Sequence, residues 1–254
     1  MRIVFLAAIL VSFFSSQAHA QYKPSQSEIE IVTYLTMDDT IAFSQGQESL
    51  TGRLAQIDES LTVNDVVKAY RANEVAGDRK YFGKRLVLVG TVDAIKSGIG
   101  NTPYLVFKGD RLLNPQAILD SNAAERAAQL SRGAKVGLVC EGAGSIAGTP
   151  MFRNCRFAID VASEVLGALA IETDRFFAGE GVSDDAANFG VSVIALASLV
   201  DPAADCSENF KACQAAVGKV SRNAKALEEA RTAAIEKLRA HGISYSPTID
   251  DKGH

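Results

Sequence analysis

Tryptophan is absent from this chain and histidine nearly so, with three residues at positions 19, 241 and 254. Nucleophilic triads draw on histidine as base, and zinc sites draw on histidine and closely spaced cysteine, so neither chemistry has its material here. The four cysteines, Cys140, Cys155, Cys206 and Cys213, miss the C-x₂₋₄-C spacing of a zinc ligand pair. No metal and no cofactor is expected. The motifs G-x-S-x-G, Walker loop and H-E-x-x-H do not occur. Gly142, Gly144 and Gly148 come nearest to a phosphate loop. Their spacing is G-x-G-x-x-x-G, and Pro150 with a β-rich run follows where a helix would have to begin, so a hairpin tip is the reading. Long apolar runs are missing too. Ile3 to Phe14, broken only by Ser12, and Val191 to Val200 both fall short of the ~20 residues that cross a bilayer, so no transmembrane span is expected.

The first of those runs has another use. Arg2, the apolar stretch and Ala18, His19, Ala20 form a secretory signal with a small-residue cleavage site, giving a mature chain from Gln21 in the periplasm or secreted. An even cysteine count in an exported chain implies two disulfides. Charge is uneven: residues 61–160 hold 14 Lys and Arg against 9 Asp and Glu, while residues 21–60 and 161–254 each carry a net charge of −5. The expected organisation is a signal peptide (1–20), an N-terminal segment of uncertain structure (21–60), a basic module (61–160) and a helical C-terminal region (161–254).

Alternation from Ile29 to Leu35 reads as a strand, after a loose start at Gln21 to Pro24. Ser60 or Thr62 caps a helix through Val63, Val66, Val67 and Tyr70 that ends near Ala76 and Gly77. Leu86 to Val92 and Pro103 to Phe107 form a hairpin around Ser97, Gly98, Gly100 and Asn101. Gln116 to Leu130 reads as a helix closed by Gly133. A second hairpin turns at Ala147 and Gly148, placing Cys140 opposite Cys155, Leu138 opposite Phe157, Glu141 opposite Asn154 and Gly142 opposite Arg153. Directly opposed residues lie within disulfide reach, so Cys140 pairs with Cys155. Beyond Ala158 the spacing predicts helices through Val161 to Phe176, from Ser183 to Pro202, and a longest one from Phe210 to Leu238, with a disordered tail from Ser244. Cys206 pairs with Cys213 only if Cys206 lies in the loop before that last helix.

Helix, hairpin, helix, hairpin is compatible with an OB-fold, a five-stranded, partly open barrel, within an α+β chain. The chain also resembles the tRNA_anti-like OB-fold family. The resemblance rests on Val66, Val67, Ala69, Tyr70, Asn73, Glu74, Ala76, Asp78 and Tyr81, then Gly83, Lys84, Val87, Val89, Gly90 and Val92. It resumes at Leu130, Gly133, Lys135 and Val136 and ends at Phe152, Asn154, Cys155 and Phe157. It implies a fold and a binding habit, with no catalytic residue.

Three readings of function follow. The first is a non-enzymatic periplasmic binding protein engaging a protein or a small envelope ligand. Its candidate ligand-binding residues are Lys84, Arg85, Tyr104, Lys108 and Arg153, part of a basic set with Lys96, Arg111 and Arg156 near Tyr104, Phe107 and Phe152. The second uses the same residues to bind single-stranded nucleic acid, since cations beside aromatics on a barrel hold single strands. The bland reading of the same charges is that they meet the acidic flanks of the chain itself. The third, an envelope hydrolase, would use Asp38, Asp39, Asp184 and Asp185, although adjacent carboxylates at helix starts usually serve as caps. Peptide mapping of the unreduced protein should yield a Cys140–Cys155 linkage, and a Cys140–Cys206 or Cys140–Cys213 peptide would break the hairpin register.

Overall fold

The computed structural model describes residues 22–110 and 113–245. The expected signal peptide, Gln21, the basic Arg111 and residues 246–254 of the expected tail lie outside the described residues.

Alternation in one strand sets the architecture. In β2 (Arg85–Ser97), Leu86 and Leu88 point into a barrel, while Val87 and Val89 point away from it and are buried as well. The first half of β2 pairs antiparallel with β5 (Lys135–Ile146), from Arg85↔Glu141 to Thr91↔Lys135. A bulge between Val92 and Ala94 bends β2, whose second half pairs with β3 (Pro103–Phe107). β3 pairs with β4 (Gln116–Leu119), β4 runs parallel to β6 (Thr149–Phe157), and β6 returns to β5. The result is a closed five-stranded OB barrel, with β1 (Glu59–Thr62) added parallel to β2.

The barrel is filled by Leu86, Leu88, Leu105, Phe107, Ala117, Leu119, Leu138, Phe152 and Phe157. Its mouth is closed by α3 (Val63–Ala72), which starts at a Thr62–Asp65 capping box and sends Val66, Val67 and Tyr70 into the same cluster. The expected helix to Ala76 breaks earlier. Asn73 is extended, and its side chain accepts the Ala76 N–H at 3.0 Å, so it caps a separate α4 (Glu74–Tyr81). Within α4, Gly77 packs against the Tyr70 ring instead of ending a helix.

Two expected elements are overturned. Ile29 to Leu35 lies within α1 (Gln26–Ser44), not a strand: Ser25 and Glu28 form a capping box, and Ile31, Tyr34 and Phe43 bury one helical face. Gln116 to Leu119 is the barrel strand β4, and the helix after it, α5, spans only Ala124–Ala128. The second hairpin has the expected turn, with Ala147 and Gly148 at φ 48° and 78°, and the expected Leu138↔Phe157 pairing. An irregularity between Gly142 and Ser145 shifts the register so that Glu141, not Gly142, faces Arg153, and a bulge at Asn154, at φ 51°, restores the expected pairing at Val139↔Arg156. Both disulfides are present: Cys140–Cys155 in the barrel, with Cα atoms 4.2 Å apart, and Cys206–Cys213, at 4.8 Å, linking the preceding loop to the start of α8.

The helical part comprises α1, α2 (Leu50–Leu54), α6 (Ala158–Phe177), α7 (Asp184–Leu199), α8 (Phe210–Ser221) and α9 (Ala224–Ala240). The expected longest last helix is two, because Asn223 caps α9 anew, and α6 is longer than either. Ile31, Phe43, Val161, Ala162, Leu166, Val193 and Leu196 form one core with Val87, Val89 and Val139 of the barrel. A Cβ on Gly137 of β5 would stand 2.1 Å from the Ser44 carbonyl oxygen, so only glycine admits α1 here. Among the described residues, no helix is long and apolar enough to cross a membrane.

Two expected loose ends are docked. Tyr245 packs edge-on to Phe176, and its hydroxyl donates to Asn188 Oδ1 at 2.5 Å. Tyr22 is buried; its N–H donates to the Phe177 carbonyl at 2.9 Å and its hydroxyl to Glu28 Oε1 at 2.6 Å. Lys237 of α9 donates to the same carboxylate oxygen at 3.0 Å. Burial pushes the Glu28 pKa up, but the bonds from Tyr22, Ser25 and Lys237 outweigh it and hold the group below its ordinary 4.5. Glu28→Ala leaves the buried Tyr22 hydroxyl without its acceptor, which costs about 1–3 kcal/mol, so unfolding stability should fall by that order in a urea titration. Because the folded pKa is depressed, the contribution should be present above pH 4.5 and vanish as pH falls through the folded value. A wild-type minus variant difference that is flat across that window would contradict the assignment.

Candidate functional site

Helices α1 and α6 cover the outer side of β2 and β5, and the outer side of β3 and β4 is open around Tyr104 and Ile118, with Val106 on the same face buried. Strand register builds a row across it. Lys96 pairs with Tyr104, and Tyr104 with Ile118, so these three side chains share the outer face while Leu105, Ala117 and Leu119 turn inward. Lys96 is exposed, Tyr104 is half-buried and Ile118 is 37% exposed. Phe152 on β6 pairs with Ala117, which brings the next residue, the exposed Arg153, to the Ile118 end of the row.

Arg153 then meets Glu141 in a salt bridge, and Asn154 Nδ2 donates to the other carboxylate oxygen of Glu141 at 3.1 Å. The Arg153 hydrogen bond lowers the Glu141 pKa, and Glu141 in turn raises that of Arg153. Arg85 is the Cα partner of Glu141 on its other side. Thus Arg85 and Arg153 bracket one carboxylate. Lys84 sits at the barrel end, its carbonyl accepting from the Gly142 N–H at 3.0 Å. Lys108 stands apart: its N–H donates to the Thr91 carbonyl, and it is exposed off the row. The five candidates therefore form no single cluster.

Two features revise the basic-aromatic picture. Phe107 and Phe152 are interior residues, 0% and 1% exposed, which leaves Tyr104 as the ring on this face. Many barrel cations are paired, more often inside the module than with the flanks: Arg126–Asp160 at 2.6 Å, Arg132–Asp93 at 3.1 Å and Arg71–Asp110 lie within it, whereas Lys80–Glu59 and Arg156–Glu164 reach outward. Lys96 and Lys108 have no ion-pair partner among the described residues. Ile118 and Glu141 join the site unexpectedly. Ile118 was hidden in a segment with helical spacing, and Glu141 by the register shift between Gly142 and Ser145.

The carboxylates singled out in the sequence hold structure. Asp39 accepts the Leu50 and Thr51 N–H groups at 2.6 and 3.0 Å and so starts α2, Asp38 accepts from Gln214 at 3.0 Å, and Asp185 pairs with Arg53 at 2.6 Å. Asp184 lies in the first turn of α7, where negative charge suits the helix dipole. A cleft of about 720 Å³ beside α2 and β1 brings Asp39 near Glu48, Asp58 and Glu59, but Asp58 accepts the Arg85 N–H and Glu59 pairs with Lys80. No group of three or more His, Cys, Asp or Glu could hold a metal ion among the described residues.

A family model described as tRNA_anti-like matches residues 1–156. No curated protein matches the chain. Among solved structures, the chain is similar to a "putative nucleic acid-binding lipoprotein" from Klebsiella pneumoniae subsp. pneumoniae MGH 78578, with 17% identity and a TM-score of 0.34 over 41% of this chain and 94% of that one.

Proposed function

This chain belongs to the tRNA_anti-like family, and we propose that it is a non-enzymatic binding protein of the periplasm that engages an extended segment of a partner protein through the outer face of β3 and β4. The observation that carries this reading is the uncovered row Lys96, Tyr104, Ile118 and Arg153 on a barrel whose opposite wall is sealed by helices. OB barrels bind oligonucleotides and oligosaccharides along this pair of strands and the loops beside it, which marks the face as a binding surface. The row offers an aliphatic centre, one amphipathic ring and charged ends, the composition of a protein-contact patch. The larger clefts, which a small ligand would need, lie elsewhere, against α2 and where the end of α7 meets α8 and the start of α9. Two disulfides and the signal-like leader support an oxidising compartment. The structural engagement of Asp38, Asp39 and Asp185 supports a role without catalysis.

Single-stranded nucleic acid is the second reading, favoured by Lys96, which pairs with Tyr104 across the strands and has no ion-pair partner among the described residues. It needs stacking rings, and Phe107 and Phe152 face inward. One experiment separates the two. A photo-crosslinking residue at Ile118 in the exported protein should trap one protein, and Tyr104→Ala should reduce the yield about tenfold, since an interface aromatic is commonly worth more than 1 kcal/mol. An unchanged yield in Tyr104→Ala would contradict the face. Oligonucleotide binding that weakens steeply with salt would replace the protein partner by nucleic acid.

A further inference from the structure

Three large apolar side chains stand unusually bare at the end of the barrel beside α4: Val75, Phe82 and Ile146, at 63%, 62% and 66% exposure. They are neighbours. Ser145 donates its hydroxyl to Glu74, placing Val75 and Ile146 next to a bonded pair. Phe82 forms a bridge with Gly142, and a Cβ on Gly144 would lie 3.5 Å from the Phe82 ring. Val75 and Arg79 fall at i and i+4 on α4 and Phe82, its C-cap, follows three residues later, while Gly77 and Tyr81 bury the other side. A helix of this kind ordinarily turns Lys or Glu outward, so an apolar stripe here marks a contact surface.

The charges around it are mainly of one sign. From Arg71 to Arg85 there are five Lys and Arg against two acids. Arg79 and Lys84 have no ion-pair partner among the described residues. Of the acids, Glu74 is held by Ser145, and Asp78 turns a buried oxygen inward. The surface also projects. β5 runs past Glu141, its last pairing with β2, to a two-residue tip at Ala147 and Gly148, so Ile146 rides at the end of a free hairpin beside the α4 cap. Apolar groups on a projection, ringed by unpaired cations, fit a planar anionic layer better than a concave protein partner.

We infer that this end of the barrel, Val75, Phe82 and Ile146 with Arg79 and Lys84, docks on an anionic phospholipid surface, the apolar groups entering the headgroup region and the cations meeting lipid phosphate. The site is separate from the β3–β4 face, so the protein sits on the bilayer with that face at its side. The test is co-sedimentation of the full mature protein with vesicles of phosphatidylcholine, with and without phosphatidylglycerol. Binding should require phosphatidylglycerol and weaken with salt. Phe82→Ser with Ile146→Ser should lower the partition coefficient about tenfold, and Arg79→Glu should lower it on anionic vesicles alone. Ile118→Ser, on the other face, should sediment as wild type. All these side chains are exposed, and circular dichroism checks that each variant is folded. No sedimentation with anionic vesicles, or equal sedimentation of the Phe82/Ile146 double variant, overturns the inference. A stable dimer that the double variant abolishes, without vesicle binding, assigns the patch to a second copy instead.

Discussion

Strand β2 is buried on both faces, and the rest of the molecule is arranged to satisfy it. Leu86 and Leu88 enter the barrel while Val87 and Val89 enter the helical core, all of them nearly without exposure. Each such side chain contributes about 1.5–3 kcal/mol when fully buried, so exposing either face would remove a large fraction of a domain's net stability. The barrel therefore closes on one side through β5 and β3, and α1 and α6 cover the other, with α7 packed on those two helices. Gly137 is the steric counterpart of this arrangement, since it lets the end of α1 reach the strand. The helical region is accordingly a cover on the barrel wall and not a separate body joined by a linker.

That asymmetry distributes function. Cations near the helices are absorbed in ion pairs, as with Arg156 and Glu164, and the wall they stand on has no surface left to offer. The opposite wall and the hairpin end keep what the fold does not consume: Tyr104, Ile118, Lys96 and the exposed α4 stripe. Burial of Phe107 and Phe152 takes off the surface the rings that suggested stacking, because they are barrel filling. Chain ends reinforce the cover. Tyr22, Glu28 and Lys237 tie the first described residues to the last helix.

Much of the barrel was legible because β-rich alternation and turn chemistry agreed. The Ala147–Gly148 turn set a register that brought Cys140 to Cys155, and helical rise made a loop position for Cys206 the condition of its pairing with Cys213. The errors have physical causes. β-branched residues at 29–33 imitate a strand, and only the Ser25–Glu28 capping box signals the helix that packing then selects. β4 is four residues with no pattern of its own; it is a strand because β3 and β6 leave a gap that needs one. With β4 misread, Ile118 could not enter the candidate site. Gly144 and Asn154 adopt left-handed conformations that spacing does not announce, and the register shifts beside them together set Glu141 against Arg153.

The central claim is that β2 and β5 form a wall common to two cores. Differential scanning calorimetry of the whole chain with its disulfides intact tests it most directly. A shared wall predicts one transition, with the calorimetric enthalpy equal to the van't Hoff value. Two resolved transitions, one for the barrel and one for the helices, would contradict it.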